Sequence, residues 1–333
     1  MTTGRPGVAA APNAAYAGQV VQFPDPVRAE RYPAGVGVDE YGYPDFGPYA
    51  AAAAEVADPP AGFGVDELRL TDYVSANVAL YTQGHPLWAD LATAVATPPG
   101  WTWHHAVGRA APGWRRMELV PVEVKALLRH HGGLATSAAD HTRRGTRPLQ
   151  ERRPVHFSLA KDGGDPIGVA EDLVQRAEER LGYRLPGAYR TFLKLGGGRG
   201  PVGVALDTDL GLLLDQPFLT LTEEYGTEDV VYANKCLRDH LTKDYLAVAY
   251  AQGGLVALKV RGERTGSVWF HLYDDARDSG APEAPEERCA RLLLPCGEDF
   301  DDFLLRLAGS PPELETVAEL MVNGGFARAV QVG

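Results

Sequence analysis

The stretch that decides the fold is PGWTWHHAV, Pro99 to Val107. It is read together with two later blocks, Met117-Glu118-Leu119-Val120-Pro121 and His130-His131-Gly132-Gly133. Trp101–Ala106 predicts a strand and Arg116–Val120 a second. Pro121 sits where a first helical turn tolerates proline. Val124, Leu127, Leu128 and His131 follow at helical spacing, which predicts a helix closed by Gly132-Gly133. Neighbouring side chains on a strand point to opposite faces, so His104 and His105 diverge. One imidazole can hold a metal while a bend in the chain turns the other toward a substrate, and the helix can return further imidazoles. That pattern is a ββα-metal arrangement. Its chemistry is phosphodiester hydrolysis: a divalent ion neutralises the phosphate and the leaving oxygen, and a neutral histidine activates water. Two His-His pairs in a chain with 9 histidines are also open to a reading as chance neighbours.

The surrounding sequence divides on either side of this segment. Residues 1–17 are Gly, Ala, Pro and small polar residues and read as a disordered arm. Leu68–Leu80 carries apolar residues at helical intervals. Pro86 fits a helix start, with Leu87, Trp88, Leu91, Ala92 and Val95 on one face. Residues 134–164 are polar and basic, with Arg143-Arg144 and Arg152-Arg153, and read as a linker or flap. A helix then runs from Asp165-Pro166 to Leu181, and a second covers Pro186–Leu195. Short strand-like segments follow: Val202–Leu206, Leu212–Leu214, Leu246–Tyr250, Leu255–Val260 and Val268–Tyr273. Gly253-Gly254 gives a hairpin signal. Phe300–Leu307 and Pro312–Met321 read as closing helices. The expected fold class is α+β in two domains. The boundaries are an arm 1–17, a first domain 18–133, a basic linker 134–164, a second domain 165–309, and a C-terminal helix and tail 310–333.

Charge is unevenly placed. The chain of 333 residues has a formal net charge of −12, of which residues 161–333 carry −11 and residues 1–160 only −1. Residues 101–160 hold 10 basic and 4 acidic side chains. A basic segment able to approach phosphates therefore precedes an acidic domain suited to a basic partner. Cys236, Cys289 and Cys296 show no CxxC spacing, which argues against a disulfide framework or a cysteine-built zinc site and fits a reducing cytoplasm. No apolar run reaches the ~18 residues that span a bilayer, so no membrane partner is expected.

Five blocks in order carry a resemblance. They are Tyr43-Pro44-Asp45-Phe46-Gly47-Pro48-Tyr49; Leu70-Thr71-Asp72-Tyr73 with Ala76-Asn77; Pro99 through His105; Met117 through Pro121; and His130 through Gly133. Residues 20–133 resemble the WHH-type nuclease domains of bacterial polymorphic toxins, in the HNH/endonuclease VII superfamily. The resemblance implies a ββα-metal fold and a divalent ion (Zn, Mg or Ni). It further implies His104 as a metal ligand, His105 as the general base and His130 as a later ligand; the family usually carries a single histidine before Gly-Gly, so His131 is an additional candidate ligand outside that pattern. Apart from the resemblance, the basic cluster at Arg143 and Arg144 is a candidate to touch nucleic acid, with a solvated loop as the alternative reading. A second position departs from the family pattern: Lys125 stands where a ligand histidine is expected. A protonated lysine repels a cation, although a deprotonated one could sit beside a metal.

The second half resembles the SUKH superfamily. The blocks are Ala177-Glu178 through Gly182, Leu185-Pro186 with Tyr189-Arg190 and Phe192-Leu193, the Gly196–Gly198 turn, Leu246–Gly253, and Val268–Asp274. Such domains commonly bind and silence nuclease toxins, and the resemblance implies an antiparallel sheet with flanking helices. Two functions follow. The first is a metal-dependent nuclease, restrained in cis by the acidic domain. The second is a non-catalytic immunity or binding protein carrying a degenerate toxin-like domain. The partner of the acidic domain would be a nuclease toxin, cognate or foreign, or the N-terminal domain itself.

Overall fold

The computed structural model describes residues 11–58, 65–91, 93–107, 110–133, 155, 168–201, 203–207, 209–222, 226, 228–275, 277, 278, 280, 283–309 and 312–332. Arg143, Arg144 and nearly all of the basic segment 134–164 lie outside the described residues.

The chain is mixed helix and antiparallel sheet, as an α+β reading expects. In the N-terminal half, β1 (Val20–Val21), β2 (Val36–Val38) and β3 (Pro44–Asp45) form a small sheet. A larger sheet holds β4 (Ala52–Ala57), β5 (Trp101–Ala106) and β6 (Trp114–Pro121). Its fourth strand comes from the far end of the sequence: β14 (Ala327–Val330) pairs antiparallel with β4, giving the order β14-β4-β6-β5. Arg328 and Glu55 face each other in this pairing and join at 2.8 Å. The expected C-terminal helix is Pro312–Asn323, and it packs on the long helix Val65–Thr82. That long helix in turn covers β4 and β14.

Ala52-Ala53-Ala54 is an unusual strand, because alanine is a poor strand former. Here the strand is paired on both edges and all three side chains are buried, so small size counts for more than propensity.

The second half places β9 (Tyr245–Ala251), β10 (Gly254–Lys259), β11 (Val268–Leu272) and β12 (Leu294–Gly297) in a four-stranded meander. β7 (Ala205–Asp207), β8 (Leu212–Leu214) and β13 (Ala308–Gly309) make a smaller sheet. Helices Glu171–Leu181, Gly187–Gly196, Val230–Cys236, Pro285–Leu292 and Phe300–Arg306 surround them. The hairpin expected near Gly253 is the β9–β10 turn, where Gly253 has φ +70°. A Cβ there would also collide with the Tyr73 hydroxyl of the N-terminal half.

The two halves share their apolar interiors. Val122 and Ala126 sit in the core of the second half, while Val204, Leu206 and Leu213 sit in the core of the first. No helix among the described residues is long and apolar enough to cross a membrane.

Two expected helices are shorter than their periodicity suggests. The helix expected from Pro86 is one 3₁₀ turn, Pro86–Trp88. Beyond it the chain bonds elsewhere: the Trp88 indole donates to the Ala96 carbonyl at 3.1 Å, and the Thr97 amide donates to Asp215 at 2.9 Å. The helix expected to run to His131 is one turn, Val122–Lys125. Residues 129–132 leave the helical path because their partners lie in the second half, as described next.

Candidate active site

β5 sets the geometry. It pairs along β6, with His104 opposite Glu118 and His105 opposite Met117. Strand alternation then sends Trp103 and His105 to one face of the sheet and Thr102 and His104 to the other.

On the first face, the long helix Val65–Thr82 supplies the partners. The Trp103 indole donates to Asn77 Oδ1 at 2.7 Å. His105 Nε2 lies 3.0 Å from Asp72 Oδ2, and the Tyr73 ring is 5.5 Å from the imidazole. Arg115 from β6 grips the same carboxylate with two bonds of 2.7 Å, Nε to Oδ2 and Nη2 to Oδ1. Burial pushes the Asp72 carboxyl up, but the hydrogen bonds from Arg115 and His105 outweigh it and hold it below the ordinary carboxylate range. This Asp72–His105–Arg115 unit was not read from the sequence. Asp72 and His105 belong to quoted blocks, but nothing in their separation shows that a helix and a strand bring them together.

On the second face, the His104 ring meets Phe46 at 5.0 Å and His130 at 5.1 Å, both edge-on. His130 also contacts Phe46 at 5.1 Å, so the three rings form a triangle. Its Nδ1 bonds the Leu128 carbonyl at 3.1 Å. Burial, with the Lys125 charge next, lowers the His130 pKa to about 3, so this ring is neutral. Lys125 is buried too. Its Nζ donates to the Trp103 carbonyl at 2.5 Å and stands 5.7 Å from the Tyr273 ring. Burial draws its pKa down to about 7.

The second half packs against this whole region. Gln252, in the β9–β10 turn, accepts the Trp103 amide at 3.2 Å, and Gln216 accepts the Gly100 amide at 2.9 Å. Asp274 Oδ1 accepts the Gly132 amide at 2.6 Å, and the Asp274 carbonyl accepts from Arg69. Asp278 takes Arg129 at 2.6 Å through its carboxylate and His131 Nε2 through its carbonyl. His240 Nε2 donates to the Ala126 carbonyl at 3.0 Å. Gly132-Gly133 is therefore not a helix stop. A Cβ on Gly132 would lie 2.6 Å from Asp274 Oδ2, and one on Gly133 would lie 2.8 Å from the Ala106 carbonyl. The pair lets the chain run tightly between β5 and the acidic residues after β11. All four histidines of the two pairs are between 0% and 4% exposed.

Of the residues singled out as ligands, the structure brings His104 and His130 together. His131 turns away to Asp278. His105 lies on the opposite face, and Lys125 lies beside Tyr273. His104 and His130 are two imidazole donors facing one another, short of the three or more that hold a catalytic divalent ion. Among the described residues there is no group of three or more His, Cys, Asp or Glu side chains arranged to hold a metal. The donor set thus does not fit a divalent ion in this arrangement.

Residues 94–140 match a family described as a nuclease of the HNH/ENDO VII superfamily with conserved WHH, and this WHH is Trp103-His104-His105. Residues 168–306 match the SMI1/KNR4 family, SUKH-1. No curated protein matches the chain. The chain thus joins a WHH domain of the HNH/ENDO VII nuclease superfamily to an SMI1/KNR4 (SUKH-1) domain.

Proposed function

We propose that this protein is a nuclease-type domain held closed in cis by its own immunity-type domain. One observation carries the reading: the SUKH domain closes on both histidine pairs, with Gln252 bonding the Trp103 amide of the strand that bears His104 and His105, and Tyr273, Asp274 and Asp278 contacting His130, Gly132 and His131. A phosphodiester backbone needs an open groove to reach an imidazole, and none of the four histidines is open to solvent. The sign of the charge suits the role, because Arg69 and Arg129, beside the candidate site, meet acidic residues of the SUKH domain. In the opened state His105 would be the general base, with Asp72 and Arg115 fixing its ring. Nucleic acid would be the substrate; His104 and His130 supply only two donors, so no metal step is assigned to them. Binding of a foreign toxin to the SUKH domain would compete with the internal contact.

A second reading is a non-catalytic immunity protein carrying a degenerate domain. Lys125 favours it, since a buried amine at an expected ligand position leaves the donor set short. The test uses the full chain, because β14 and the helix before it complete the N-terminal sheet. Asp274→Lys with Asp278→Lys places cations against Arg69 and Arg129. Plasmid DNA and RNA are offered with Mg²⁺, Zn²⁺ or Ni²⁺. The wild type should be silent and the opened variant should cleave. Adding His105→Ala should then lower the rate by about 10²–10⁴-fold, the range for a lost general base. Hydrogen exchange of β5 checks that the variant has opened. An opened β5 without cleavage in any metal refutes the nuclease reading and leaves the second.

A further inference from the structure

The SUKH domain carries a cleft of about 580 Å³ on a part of its surface that the candidate site does not use. Five cationic side chains line it: Arg180, Lys235, Arg238, Lys243 and Arg261. They arrive from separate elements, namely the end of helix Glu171–Leu181, the helix Val230–Cys236, the chain leading into β9, and the chain leaving β10. Their convergence is notable because residues 161–333 have a net charge of −11. Like charges gathered in one cleft repel each other, and an acidic surface offers many cheaper places to put them. Glu286 is the one carboxylate in the lining. Arg180 has a distant partner, Asp229 at 3.9 Å. Among the described residues Lys235, Arg238 and Lys243 form no ion pair.

Two tyrosines complete the wall, Tyr183 and Tyr245. The Arg261 guanidinium lies over the Tyr183 ring at 5.2 Å, so the ring backs the cation and the stacked pair borders the cleft. Arginine beside an aromatic ring is a combination that holds a flat ring and a phosphate together. The volume suits one nucleotide, since small-molecule clefts run from about 300 to 1,000 Å³.

We propose that this cleft binds a phosphorylated ligand of nucleotide size. Lys235, Arg238 and Lys243 hold the phosphates, and Tyr183 with Arg261 holds the base. The site belongs to the SUKH domain alone and is independent of whether the WHH domain cleaves anything.

Calorimetric titration of the full chain with ADP, pyrophosphate and adenosine tests it. ADP should bind once per chain, with a Kd at least tenfold below that of pyrophosphate, and adenosine should give no saturable signal. Raising the salt from 50 to 300 mM should weaken ADP binding, because the contacts are charged and open to solvent. Arg238→Glu with Lys243→Glu should weaken ADP at least tenfold while the Tm stays unchanged, since both side chains are exposed. Absence of saturable ADP binding, or equal binding by the double variant, overturns the proposal. Equal binding of ADP and pyrophosphate overturns the nucleotide assignment.

Discussion

Lys125→Met should stabilise the protein at pH 6 and destabilise it at pH 11. The side chain is buried, and burial draws its pKa from the ordinary 10.5 to about 7. Between these values the unfolded chain binds more protons than the folded one. Wild-type stability therefore rises with pH from about 7 to about 10.5, and the charge penalty is fully present below that window. At about 1.4 kcal/mol per pKa unit, the penalty at pH 6 is about 5 kcal/mol. Methionine carries no such penalty and is close in shape. It leaves the Trp103 carbonyl without its 2.5 Å donor, which costs about 1–3 kcal/mol at any pH. The net expectation at pH 6 is a gain of about 2–4 kcal/mol. At pH 11 the lysine is neutral in both states, and only the lost hydrogen bond remains, so the variant is weaker by about 1–3 kcal/mol. Urea unfolding of both proteins at pH 6, 8.5 and 11 reads the difference and cancels the other titrating groups. A difference that does not change sign across this range, or a variant weaker than wild type at pH 6, refutes the buried-amine argument.

Three further outcomes are expected. Arg115→Leu leaves Asp72 buried with only His105 as partner and should cost about 3–5 kcal/mol in urea unfolding, the usual result of breaking one side of a buried ion pair; adding Asp72→Leu should recover part of that loss, and no recovery would show that Arg115 acts through packing. Deleting residues 324–333 removes β14 and uncovers an edge of β4, so the truncated chain should lose amide protection at residues 52–57 and become more prone to self-associate on size-exclusion chromatography, whereas unchanged protection would show that β14 is dispensable. Lys125→His should raise divalent-metal affinity in the opened Asp274→Lys, Asp278→Lys background, most clearly above pH 6.5 where a free imidazole is neutral, and identical calorimetric titrations with and without the substitution would remove residue 125 from the donor set.

The local lessons of the sequence were legible where local interactions decide. Trp101–Ala106 is a strand with the bounds its pattern predicts, and Leu212–Leu214 likewise. The amphipathic helices near 171–181 and 187–196 follow their apolar spacing, and the alternating segments from 245 to 272 form the expected meander. The five blocks and the Leu-Pro-x-x-Tyr-Arg unit were enough to identify both domain types. The strand at Ala52–Ala57 was not legible, since alanine carries no β signal and its environment comes from β6 and β14, far away in the sequence.

The candidate site divides in the same way. The sequence alone determined which imidazoles are at issue, and strand alternation required His104 and His105 to part. Tertiary structure decided their surroundings. It set Asp72, gripped by Arg115, on His105, put His130 beside His104, and buried Lys125 near Tyr273. It also ended the helix at Lys125, where helical spacing continues to His131. A helix persists only while its amides and carbonyls have no better partners. Here the Gly132 amide finds Asp274 and the Ala126 carbonyl finds His240, 142 and 114 residues away in the chain, while the Arg129 and His131 side chains are held by Asp278. Hydrogen bonds of that range leave no periodic trace in a sequence, because they depend on where the second domain docks and not on what lies next to the residue.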